Sequence, residues 1–239
     1  AEKNSNGNTF IYMAIRRGPL APPTAGTEVF APALTNSGSL PNFNSGFVTD
    51  FGMQKPLTSG AWYNYSRLTG TGYMGSDRAD AENSSSTTTW DFMDGFGSGS
   101  SNSYLGWMWK RAPSFFDVVA YTGTGVAGRT VSHNLGVAPE MMIVKQRSYS
   151  STWRVYHSAL GNVKALTLND TSAAYNLTSA WNSTTPTATE FTLGTSNDVN
   201  ENPLAHIAYL FASLAGVSKV GGYTGDGVNG KVIDCGFTS

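Results

Sequence analysis

The chain has 239 residues, 40% of them hydrophobic and 12% aromatic, enough apolar mass for a sizeable core. Only 13% are charged and the formal net charge is −1, which excludes the basic stripe of a nucleic-acid binder. No apolar run approaches the roughly 20 residues of a membrane span, which excludes membrane insertion by a helix.

The first residues, Ala1-Glu2-Lys3, lack a basic-then-apolar leader pattern and read as a processed or excised end. Polarity comes mainly from Ser, Thr, Asn and 27 Gly, a composition that suits short strands joined by turns. The first predicted element spans 8–19, here called segment A. Phe10, Tyr12 and Ala14 alternate with Ile11, Met13 and Ile15. Both faces are apolar, as in a central strand covered on two sides.

A divergent segment B follows over 28–48, carried by Val29-Phe30-Ala31-Pro32 and Asn44-Ser45-Gly46-Phe47. Segment C is Thr49–Lys55 and segment D is Trp62–Tyr65. A Ser/Thr-rich stretch holding Trp90 then leads to a second A at 102–113, where Trp107 and Trp109 stand for Met13 and Ile15. B recurs at Phe116–Gly125, C at Pro139–Lys145 and D at Trp153–Tyr156. Leu166–Ala174 is the one stretch with room for a helical turn. A third A at Ala205–Ser213 and a third B at Ser218–Gly227 close the series.

The order A-B-C-D therefore runs twice and restarts, which identifies a duplication. The repeats divide as 1–101, 102–204 and a partial third at 205–239. The expected fold is all-β, with tandem sandwich-like repeats of short antiparallel strands and little or no helix. The trailing A-B pair is expected to complete the sheet of the second repeat as a cap. The ends fall out of phase with the repeat and read as those of a piece of a longer polypeptide.

Candidate chemistry is sparse. Gly123–Gly128 and Gly225–Gly230 both spell a dinucleotide fingerprint, but β-prone Arg129-Thr130-Val131 follows the first where a helix N-terminus is required, so both read as turns. His133, His157 and His206 show no metal-ligand spacing. Asp77, Asp80, Asp91 and Asp94, with Glu82, are the candidates for a calcium loop, against the plainer reading of solvated turn acids. No metal or other cofactor is predicted, and no catalytic residue is assigned. Trp90 and Trp181 lie in Ser/Thr-rich loops and are the candidates for exposed rings that stack on a glycan. Cys235 has no disulfide partner and reads as a buried apolar thiol.

Tyr121-Thr122-Gly123-Thr124-Gly125, Val131–Glu140, Ile143-Val144-Lys145, Trp153–His157 and Ala208–Ala212 resemble repeats in large virion proteins of marine tailed bacteriophages. The resemblance covers residues 8–239 and is strongest in 116–237. Those proteins are described as tail-fibre-like or structural, and laminin-G-like β-sandwiches often adjoin the repeats. The resemblance implies a non-enzymatic, oligomeric structural or adhesive module located in the virion. Its implied partners are copies of itself or other virion proteins. The rival readings are a carbohydrate-binding module that grips host surface polysaccharide, and a capsid-decorating protein.

Overall fold

The duplicated segments fold into two equivalent six-stranded antiparallel sheets. A computed structural model describes residues 21–36, 38–85, 87–97 and 103–237. The first copy of segment A, at 8–19, lies outside these residues. In chain order the strands of the first half are β1 (Phe30–Leu34), β2 (Phe43–Asn44), β3 (Phe51–Pro56), β4 (Tyr63–Ser66), β5 (Gly72–Gly75), β6 (Asn83–Ser84), β7 (Gly95–Phe96) and β8 (Tyr104–Trp109). Those of the second half are β9 (Phe116–Thr122), β10 (Arg129–Ser132), β11 (Met141–Gln146), β12 (Arg154–His157), β13 (Lys164–Thr167), β14 (Tyr175–Asn176), β15 (Glu190–Leu193) and β16 (Ala205–Phe211).

The first sheet runs β1-β8-β3-β4-β5-β6 and the second β9-β16-β11-β12-β13-β14. Read by segment, both are B-A-C-D followed by two shorter strands. Registers agree as well: Phe51 and Phe30 both face Trp109, while Met141 and Phe116 both face Phe211. The fold is all-β, as the composition and the short apolar runs require.

The A strand of each sheet comes from the segment that follows it in the chain. β8, with which the second sequence repeat opens, lies between β1 and β3; β16, from the partial third, lies between β9 and β11. An A strand is apolar on both faces, so the middle of a sheet is where both can be buried. The third B behaves differently from the expected cap. A bridge between Leu214 and Ser218 reproduces the one between Ala112 and Phe116, but among the described residues no strand forms after it. The edge beside β16 is already held by β9, so this B has no place in the second sheet.

Each large sheet is covered on one face by a two-stranded ribbon, β2-β7 on the first and β10-β15 on the second. Glycines let the first ribbon approach closely: a Cβ on Gly52 would fall 2.6 Å from the Phe96 ring, and one on Gly106 would fall 2.5 Å from Phe43. Phe43, Phe96, Trp90, Tyr65 and Met108 fill that core. Over the second sheet, Phe191 and Leu193 of β15 join Trp181 and Val199, from the short helices α1 (Thr178–Trp181) and α2 (Asn197–Asn200). These helical turns lie downstream of the expected Leu166–Ala174, whose first residues belong to β13.

The other faces of the two large sheets meet in a third core. Phe51 contacts Tyr209 at 4.5 Å and Phe116 at 5.9 Å between ring centroids. Trp153, Ile207 and Met74 complete it. Aromatic rings dominate because they bury most area per residue while forming tilted and stacked pairs. Cys235 is exposed rather than buried, since it lies in the trailing segment that joins no sheet.

Candidate functional site

Trp90 and Trp181 are not exposed. Trp90 keeps 8% of its surface and Trp181 none. The Trp90 indole N–H donates to the Gly70 carbonyl at 2.8 Å and the ring stacks on Phe96. The Trp181 indole N–H donates to the Lys164 carbonyl at 3.0 Å, with Tyr156 edge-on to the ring. Both loops fold over the open face of a sheet, and a satisfied indole there is worth more as core than as a free surface. No ring face remains for a sugar at either residue.

The acidic candidates do not converge. Asp77 and Asp80 both pair with Arg78, at 3.4 and 3.8 Å. Asp94 accepts from the Asn44 side chain at 3.2 Å, and Asp91 is exposed. Among the described residues no three His, Cys, Asp or Glu groups are grouped to hold a metal ion. The loop at Gly123–Gly128 leads into β10, and the Asn200 side chain pins it by donating to the Val126 and Gly194 carbonyls. It is a structural turn, as its sequence context indicates.

The histidines lie apart, His133 and His206 in the core and His157 half-buried at the end of β12. The His133 Nδ1 accepts from the Leu135 amide, so its Nε2 carries the proton facing the Thr187 carbonyl. Burial holds both core imidazoles below the ordinary histidine pKa of 6.5. Just below that pH the unfolded chain takes up protons that the folded chain resists. Stability is therefore expected to be constant between pH 6.5 and 8 and to fall as pH drops towards 5. Urea midpoints measured between pH 7.5 and 5 test this, and His133→Gln should flatten the decline. A flat wild-type profile would contradict it.

No motif or spacing announces a cavity of about 360 Å³ that lies between the two large sheets. Phe51, Met53, Trp62 and Trp109 form one wall; Ile143, Trp153, Leu168 and Phe211 form the other. Its few polar groups are Asn64, Ser76 and Asp77 on the first sheet, with the Tyr209 hydroxyl. Such walls suit apolar side chains or a flat ring.

The seam beneath the cavity is tight. The Trp153 indole N–H donates to the carbonyls of Gly75 at 2.8 Å and Arg78 at 3.1 Å. Arg147 grips Glu82 with two bonds of 2.7 Å, which holds the guanidinium above its ordinary pKa. The Glu82 amide donates to the Arg147 carbonyl and the Ser151 amide to Ala79, both at 2.8 Å. Trp62, at the same repeat position as Trp153, is only half-buried; it stacks on Trp107 at 5.2 Å under the Lys55 ammonium. Trp153→Ala is expected to cost about 3–5 kcal/mol in denaturant melts, the range for a large buried aromatic. A loss below about 1 kcal/mol would show that the seam does not hold the halves together.

Residues 66–239 match the family described as a domain of unknown function, DUF7483. The chain belongs to that family. No curated protein and no solved structure matches it. The DUF7483 match begins at the last residue of β4, so it takes in the whole second sheet and the seam, along with β5, β6 and β8 of the first.

Proposed function

We propose that this DUF7483 chain is a non-enzymatic structural module of a phage virion, within a tail-fibre-like appendage. One observation carries the reading: each large sheet takes a central strand from the segment after it. Successive repeats are joined through backbone ladders as well as side-chain contacts, which suits a fibre that must resist pulling. The low charge, the aromatic seam and the resemblance of the repeat to phage virion proteins support the same role. The burial of Trp90 and Trp181 removes the two residues on which a glycan-binding module was expected to rest.

The test is location. Antibody raised against the folded chain should label the tails of intact particles in electron micrographs, and its peptides should appear in digests of purified virions. Label over the capsid would favour a decoration protein. Particles free of the chain would refute the proposal.

A further inference from the structure

The two repeats bury equivalent faces unequally. The joint core is made when one half of the second sheet's inner face, Val118, Ile207, Tyr209 and Trp153, plugs a socket on the first sheet formed by Phe51, Met53, Met74 and Trp109. The shared registers give every one of these residues a counterpart in the other repeat. Pro32, Leu105, Trp107 and Trp62 of the first repeat correspond to the plug. Met141, Ile143, Leu166 and Phe211 of the second correspond to the socket.

Both counterpart surfaces keep open area among the described residues, with Trp62 of the first and Ile143, Leu168 and Phe211 of the second bordering the cavity between the sheets. On the unused plug, Leu105, Trp107 and Trp62 are half-buried, Pro32 is exposed, and Leu34 and Leu57 beside them are 61% and 58% exposed. On the unused socket, Met141, Ile143, Leu166 and Phe211 are half-buried, and neighbouring Leu168 is 45% exposed. Contiguous apolar surface of this kind marks a protein contact. We propose that a second copy of this chain fills it, the first repeat of one copy seating its plug in the second-repeat socket of the next.

Three features of the structure favour that occupant over an unrelated protein. The plug already fits a socket of this design once, inside the chain. The electrostatics are compatible, because the Arg147–Glu82 pair of the internal seam is replaced across the new contact by its counterparts Leu57 and Ala174, and the Lys55 ammonium on the plug already lies over the Trp62 ring. The third B segment also sets out along the expected path. A Cβ on Gly222 would lie 3.8 Å from Ala159 in the 3-10 turn Ser158–Leu160, just as β9 touches the equivalent turn Arg67–Thr69.

Such a contact joins unlike faces, so it propagates into an open series rather than closing as a symmetric dimer. The physical contact stands independently of the virion reading; absence from particles would remove that reading and leave the assembly untouched.

The experiment is sedimentation velocity on the full chain and two charge variants, Leu57→Glu in the plug and Leu168→Glu in the socket. Both side chains are exposed, so unchanged thermal melts should show that the variants fold. The wild type should give a series of species that grows with concentration, and each variant alone should be monomeric. An equimolar mixture should form dimers and nothing larger, because each variant retains the face its partner needs. A wild type that stays monomeric to millimolar concentration overturns the proposal. So does a closed dimer, or a mixture that remains monomeric.

Discussion

A chain ending at residue 204 should fail to fold. It lacks β16, whose seven residues pair with β9 and six of which also pair with β11. Ile207, Ala208, Tyr209 and Leu210 in that strand keep at most 2% of their surface, and they reach into two of the three cores. Burial of one such side chain is worth about 1.5–3 kcal/mol, so the strand's contribution rivals the whole net stability of a domain. The expected readout is loss of near-ultraviolet circular dichroism and rapid proteolysis, or aggregation. Removal of residues 219–239 alone is the control. Its described residues join no sheet, and its loss should change stability by less than about 0.5 kcal/mol. A truncation at 204 that stays soluble with native dichroism would show that β9 and β11 close without the strand between them.

The second large effect is a gain. Lys145 on β11 is fully buried, and its ammonium donates to the neighbouring Gln146 carbonyl at 2.6 Å. Burial pushes its pKa down to about 8 from 10.5, against an upward pull from Asp198, Asp80 and Glu82. The folded chain therefore holds this proton less tightly than the unfolded chain does. Between pH 8 and 10.5 stability should rise with pH; at pH 7 the penalty is present in full, on the order of 3 kcal/mol. Lys145→Met keeps the length of the side chain and removes the charge. It should raise stability at pH 7 by about 2 kcal/mol, less than the full penalty because a charged hydrogen bond is also lost. It should also abolish the rise between pH 8 and 10.5. Denaturant melts at pH 7, 8.5 and 10 decide this; a less stable variant with an unchanged pH slope would mean that Lys145 is held by its acidic neighbours rather than strained by burial.

Much of the architecture was legible in the residues. The alternation in Ala205–Phe211, apolar on both faces, announced a central strand, and it is one. The recurrence of Trp62 at Trp153 marked equivalent places in two copies of one sheet. The β-prone residues after Gly128 pointed to a turn rather than a dinucleotide site, and the loop leads into β10. Trp90, Trp181 and Cys235 were misread for one shared reason. Local composition reports what a segment is made of and not what covers it. The Ser/Thr-rich loops fold back over a sheet face, and the trailing segment has no sheet to join. The cavity and its seam escaped notice because their walls come from β3, β4, β8, β11, β12 and β16, far apart along the chain.

What the sequence determined by itself was the strand content, the duplication and the order of segments, because these depend on side-chain alternation and turn residues within a few positions. Only the tertiary structure decided which A strand enters which sheet. Each copy of A is compatible with any B and C of the series, and the choice falls to the strand that lies between its flanking partners once the chain has crossed over. The same holds for burial. Trp62 and Trp153 share one repeat position, yet one is half-open and the other sealed, because only the second has a neighbouring sheet packed against it.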